Sequence, residues 1–129
     1  MAGHLAAGGH EVRVFNRTTA TADKWSAEHS GTHHATPAEA AAGADFVFTC
    51  VGGDDDLRAV LMGETGAVGQ MKPGSVVVDH TTASAAVARE MYDFCRQSDI
   101  GFIDAPISGG QAGAKNGQLS VMCLSLIHI

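Results

Sequence analysis

The sequence predicts an α/β fold, a doubly wound and mostly parallel sheet, on three observations. Four short strand-like runs, residues 11–15, 45–51, 75–79 and 101–103, are separated by stretches that can hold crossover helices. Apolar residues make up 45% of the 129-residue chain, yet aromatics only 5%, and 16 residues are glycine. Small side chains and frequent tight turns suit alternating βα units better than a fibrous or disordered chain. The last strand also runs into a glycine-rich stretch, where four glycines fall between Gly109 and Gly117. Glycine lets main chain approach a ligand closely, so a binding rim is expected there.

Each element follows from local signals. Residues 2–8 form a short alanine-rich helix stopped by Gly8-Gly9. Residues 11–15 then alternate polar and apolar as a strand does. A helix over 20–28 stops near Gly31, and 32–35 reads as a short edge strand. His33 and His34 are adjacent there, so they point to opposite faces and do not chelate one metal. Thr36-Pro37-Ala38-Glu39 combines a Thr cap, proline at the first helical position and a capping-box glutamate. That helix ends at Gly43.

The run 45–51 is almost continuously apolar, which predicts an inner strand covered on both faces. Gly52-Gly53 breaks it. Asp54, Asp55 and Asp56 open the next helix, marked by Leu57, Val60 and Leu61, and are expected to be solvated complements to its positive end. Residues 63–74 are glycine-rich and hold one short helical turn. The clearest buried strand is 75–79, with three valines together. The helix over 84–97 buries Val87, Met91, Phe94 and Cys95, with Thr82 or Ser84 as its cap. His80, at the rim without a paired acid, is expected to be incidental. Pro106 has no amide hydrogen, so pairing of the 101–103 strand stops about there.

Composition excludes several functions. A formal charge of −6, with no run of Lys or Arg, argues against nucleic acid or an acidic membrane as partner. No apolar stretch reaches the roughly 18 residues of a membrane span, and the start lacks the regions of a signal peptide. Cys50, Cys95 and Cys123 are odd in number and lack metal spacing, which predicts reduced thiols in a cytoplasm and no metal site.

The stretch Asp104-Ala105-Pro106-Ile107-Ser108-Gly109-Gly110-Gln111-Ala112-Gly113-Ala114-Lys115-Asn116-Gly117-Gln118-Leu119, with Met122 after it, resembles the substrate-binding signature of the β-hydroxyacid dehydrogenase family. That family includes 3-hydroxyisobutyrate dehydrogenases and 2-hydroxy-3-oxopropionate reductases. The Asp-Ala-Pro-Ile-Ser-Gly-Gly core is its specific part, while the segments from Met1 onward are consistent with it. Taken alone, Ser-Gly-Gly reads first as a solvated turn between two strands, and it is the whole sixteen-residue pattern that carries the resemblance.

The resemblance implies a Rossmann-type fold over residues 1–122. Relative to the family, the fold lacks its first strand, with the Gly-x-Gly-x-x-Gly fingerprint, and the C-terminal helical domain. Residues 123–129 are atypical and are expected to reflect a truncation or frame error. The implied reaction is reversible hydride transfer between NADP and a small β-hydroxyacid, with Ser108, Gly109 and Gly110 holding the substrate carboxylate. Asn16-Arg17-Thr18 follows the first strand-like run. NAD-selective sites place an acid there, whereas an Arg with flanking donors suits a 2′-phosphate, so NADP is expected and NAD less so. From the residues alone, the same three are a helix-starting loop. Val51 and Gly52 line the cofactor by resemblance, although Leu-Pro is the usual pair, and Thr82 matches a cofactor-contacting threonine.

The family's catalytic lysine belongs to a helix beyond residue 129, and Lys115 on the glycine loop does not match it. This chain by itself therefore holds no catalytic residue and is expected to be inactive, while the full-length protein is expected to be a homo-oligomer. Rival motifs fail: Tyr92 is followed by Arg96 where a short-chain dehydrogenase needs lysine, and Ser108 lacks the first glycine of a hydrolase elbow. A non-catalytic NADP-binding module of the same fold stays open.

Overall fold

A computed structural model describes residues 1–125. Helix α1 (Ala2–Ala7) leads into strand β1 (Arg13–Val14), helix α2 (Thr19–Glu28) and strand β2 (Thr32–His33). Helix α3 (Pro37–Ala41), strand β3 (Phe46–Thr49) and helix α4 (Asp54–Leu61) follow, then a 3-10 turn (Ala67–Gln70). Strand β4 (Val76–Asp79), helix α5 (Ala85–Arg96) and strand β5 (Gly101–Asp104) complete the βα alternation. Strand β6 (Ile107–Ser108), helix α6 (Gly110–Asn116), strand β7 (Ser120–Val121) and strand β8 (Leu124–Ser125) close the described chain.

Strands β3, β4 and β5 are parallel and in register, so Phe46, Val76 and Gly101 lie level and Thr49, Asp79 and Asp104 lie level at the other end. Strand β8 adds to β5 in the antiparallel sense. Strands β1 and β2 form a separate parallel pair, and β6 with β7 a small antiparallel ribbon. The fold is Rossmann-like. No strand hydrogen-bonds to the free edges of β1 and β3 among the described residues. Those edges are where a 3-2-1-4-5-6 sheet carries its first strand.

The core explains why these segments hold together. Along α5, Val87, Met91 and Cys95 repeat at helical spacing and are fully buried. They pack with Leu57 and Leu61 of α4, Val77 of β4 and Phe102 of β5. Burying each such side chain is worth about 1.5–3 kcal/mol. Burial pushes the Cys95 thiol up to about 12, in keeping with a core rather than a reactive cysteine. Arg58 of α4 grips Glu90 of α5 with two parallel bonds, at 3.1 and 2.8 Å, which fixes the helices side by side.

Caps follow the sequence closely. Thr36 Oγ1 accepts from the Glu39 amide at 3.1 Å, and Glu39 reaches back to the Ala35 amide at 3.1 Å. Ser84, rather than Thr82, caps α5 by accepting from Val87 at 3.1 Å. Three expectations need correction. Strand β3 is not covered on both faces: Phe46 is 58% and Phe48 47% exposed, because alternation puts both on the face that the described residues leave largely open. The glycine-rich stretch is not a loop, since residues between its glycines have good helix formers and wind as α6. The aspartates opening α4 are not merely solvated, because each finds a partner, as described below. No described helix is long and apolar enough to cross a membrane.

Candidate functional site

The carboxyl ends of the parallel strands converge on one rim, held by a polar network rooted in β4. Alternation along β4 puts Val77 and Asp79 on its buried face, with Asp79 only 1% exposed. Asp79 Oδ1 accepts from Thr49 Oγ1 of β3 at 2.8 Å and from the Thr81 amide at 3.0 Å. Thr81 Oγ1 in turn accepts from the Val51 amide at 3.1 Å. A second tie joins the same two turns: Asp54 accepts from the Ser84 amide at 2.8 Å and from its hydroxyl. The Ser84 hydroxyl and amide bonds pull the Asp54 carboxyl below the usual carboxylate range. Val51 and Gly52 are thereby fixed against the turn that carries Thr82.

Strand β5 joins through its own end. The Ala105 amide donates to the Asp79 carbonyl at 2.7 Å, and His80 Nδ1 sits 2.6 Å from the Ala105 carbonyl. His80 is buried and stacks on Phe48 at 5.9 Å between centroids, so it is a structural bridge rather than an incidental rim residue. Asp104 lies beside Asp79 in the register. Burial first, and the Asp79 charge second, push its carboxyl above the ordinary Asp range.

At the end of β1, Asn16 Oδ1 accepts from the Thr18 amide at 2.8 Å, so Asn16 shapes the turn that starts α2. Thr18 occupies the N-cap position without a side-chain cap bond. Arg17 is well exposed and reaches across to α4, where Nη1 lies 3.0 Å from Asp56 Oδ1. The loop after β1 therefore faces the loop after β3. Thr82 is exposed on the rim.

Beyond β5, the chain turns at Pro106, whose carbonyl accepts from the Met122 amide at 3.0 Å. Ser108 is exposed and level with Ser120 across the ribbon. Gly109 and Gly110 have φ of 132° and 62°, a left-handed passage that side chains resist, and α6 starts there. Leu119 packs under this bend, close enough that a Cβ on Gly109 would meet it at 3.1 Å. His4 of α1 lies 2.9 Å from the Ala114 carbonyl, which links the first helix to α6. Lys115 is exposed in the last turn of α6. The structure thus ties together the segments carrying Asn16, Arg17, Val51, Gly52 and Thr82, while Ser108–Gly110 stand a few residues beyond the β5 end.

Sequence reasoning missed Thr49, Asp79 and Thr81, and gave Asp104 no role beyond opening the signature stretch. A signal existed: each of β3, β4 and β5 ends in a polar residue after apolar ones, and level register aligns those ends. It passed as ordinary strand termination. Among the described residues, no group of three or more His, Cys, Asp or Glu side chains is placed to hold a metal.

Parallel strands that deliver their carboxyl ends to one braced rim, with Arg17 beside the first helix turn, define a dinucleotide-binding α/β domain. The chain matches the family described as the NAD binding domain of 6-phosphogluconate dehydrogenase over residues 1–124, and it belongs to that family of NAD(P)-binding oxidoreductase domains. It is 57% identical over 122 residues to an uncharacterized oxidoreductase of Shewanella frigidimarina, covering 95% of this chain and 42% of that protein. It is 37% identical over 121 residues to a probable mitochondrial 3-hydroxyisobutyrate dehydrogenase-like protein of Arabidopsis thaliana, covering 94% and 40%. The solved 3-hydroxyisobutyrate dehydrogenase of Mycobacterium tuberculosis with L-serine superposes with a TM-score of 0.86 at 28% identity, over 95% of this chain and 40% of that one. The chain therefore spans about two fifths of the length of these relatives.

Proposed function

We propose that this chain is the nucleotide-binding part of an NADP-dependent β-hydroxyacid dehydrogenase. Its substrate is a small β-hydroxyacid such as 3-hydroxyisobutyrate, or the 2-hydroxy-3-oxopropionate/glycerate pair. The observation that carries the reading is Arg17 at the end of β1, where Asn16 stands in place of the carboxylate that selects NAD. The guanidinium offers a fork of N–H donors suited to a 2′-phosphate, and Asn16 and Thr18 flank it.

The donor set fits a bound NADP. The bound cofactor supplies the hydride acceptor. Val51 and Gly52 offer main chain held still by Thr81 and Asp54, so the cofactor's ribose and nicotinamide meet a pre-shaped surface. Thr82 contributes a hydroxyl on the same rim. Ser108 supplies a hydroxyl donor, and the bend at Gly109 and Gly110 exposes amides at the start of α6, which together suit a carboxylate. L-serine, with which the M. tuberculosis relative was solved, is itself a β-hydroxyacid. The family resemblance implies a lysine beyond residue 129 as the proton donor, and Lys115 does not take its place.

The three cysteines are unpaired, two of them exposed, which supports a reducing cytoplasm as the setting. The full-length protein is proposed to be a homo-oligomer. The test uses the complete gene product. NADPH-binding titrations and NADP-linked oxidation of 3-hydroxyisobutyrate are expected to succeed, and Arg17→Ala to weaken NADPH about tenfold while sparing NADH, the scale of one charge-assisted bond. Nucleotide binding without any oxidation of β-hydroxyacids would instead identify a non-catalytic NADP-binding module. Failure to bind either nucleotide would overturn the reading.

A further inference from the structure

We infer that Asp56 is a specificity-determining residue that tempers the preference for NADP by competing for Arg17, so that NAD is accepted alongside it. The inference rests on the reading of Arg17 as the 2′-phosphate donor. Of the three acids opening α4, Asp54 is taken by Ser84 and Asp55 by Arg58 at 2.9 Å. Asp56 is the one that reaches toward β1, with Oδ1 placed 3.0 Å from Arg17 Nη1.

Its other oxygen lies against Gly52. A Cβ on residue 52 would come 2.6 Å from Asp56 Oδ2, so Asp56 occupies the space that a side chain at Gly52 would fill. A side chain at residue 52 would turn the Asp56 carboxylate out of this pose. Gly52, Asp56 and Arg17 therefore form one unit: the missing side chain makes room, the carboxylate enters it, and the guanidinium is held.

The chemistry of that unit is two-sided. A 2′-phosphate must share or break the Arg17–Asp56 pair and then lies close to a carboxylate of its own sign. A ribose 2′-hydroxyl has no such conflict and can donate to a carboxylate, the role that NAD-selective sites give an acid at the end of the second strand. Here the acid arrives from α4 while Arg17 keeps the usual place, and the rim presents both.

The experiment compares dissociation constants of NADPH and NADH for the complete gene product and its Asp56→Asn, Asp56→Ala and Arg17→Ala variants. Asp56→Asn keeps shape and removes charge, and Asp56 is partly exposed, so folding is not at risk. Both Asp56 variants are expected to tighten NADPH about threefold to fivefold, the scale of an exposed ion pair, and to leave NADH unchanged or weaker. If the Asp56 variants leave the NADPH/NADH ratio unchanged, or lower it, the inference fails. If Arg17→Ala weakens NADPH in that same series, the reading of Arg17 survives that failure. If Arg17→Ala leaves NADPH untouched, both fall together.

Discussion

Asp104 and Asp79 are neighbours on the same face of two adjacent strands, and only one of them is well bonded. The raised affinity of Asp104 for a proton gives the folded state a distinctive pH response. Just above the ordinary Asp range, the native chain holds a proton that the unfolded chain has released, so stability falls as pH rises through that window. Asp45, Asp54 and Glu90 act the other way. Their carboxyls are held low by Lys72, Ser84 and Arg58, so their contribution is lost as pH falls through and below the usual range. Urea unfolding of wild type and Asp104→Asn between about pH 2 and 8 separates the two. The variant is expected to lose the decline above the Asp range and keep the loss at acid pH. An unchanged profile would mean that Asp104 titrates as it does in water.

At the scale of elements, the caps, the buried stripe of α5 and the valine-rich β4 were all legible in the sequence. They depend on residues within a turn or a strand of each other, and the physics is local. What escaped was long-range. Nothing near Asp79 announces that Thr49, thirty residues earlier, donates to it, nor that Asp56 reaches Arg17. The stretch after Ser108 misled for a different reason: its glycines suggested a loop, while Gln111, Ala112, Ala114 and Lys115 between them favour helix. Gly66 shows another constraint invisible in one sequence. Its backbone is ordinary, but an added Cβ would lie 2.2 Å from the Met62 carbonyl carried at the end of α4. Gly66→Ala is expected to cost about 1–3 kcal/mol in denaturant unfolding, because main chain has nowhere to go. A change within about 0.5 kcal/mol would show that the turn before the 3-10 segment yields freely.

For the whole molecule, the decisive fact is that β1–β2 and β3–β4–β5–β8 are separate sheets, with β1 and β3 each at an edge. The fold class was readable from the βα alternation, and the lack of a first strand followed from the family resemblance. The consequence for β3 was not, since an apolar run looks the same whether or not both its sides are covered. Phe46 and Phe48 stack 6.2 Å apart on that open strand, exposed beside unpaired main-chain groups. Such an edge recruits other strands. The 129-residue chain is expected to associate at tens of micromolar by light scattering, and Phe46→Lys with Phe48→Lys to suppress that association. Equal scattering from both would show that the edge is already protected.

The level ends of β3, β4 and β5 have one more implication. Sliding β4 by a single residue would turn Asp79 outward and bring Val78 or His80 level with Thr49, leaving the Thr49 hydroxyl without its carboxylate acceptor. Misalignment is thus penalised twice, once in the greasy interior and once at the wet brink, so the strands can settle in only one alignment and the loops that hang from them inherit fixed positions.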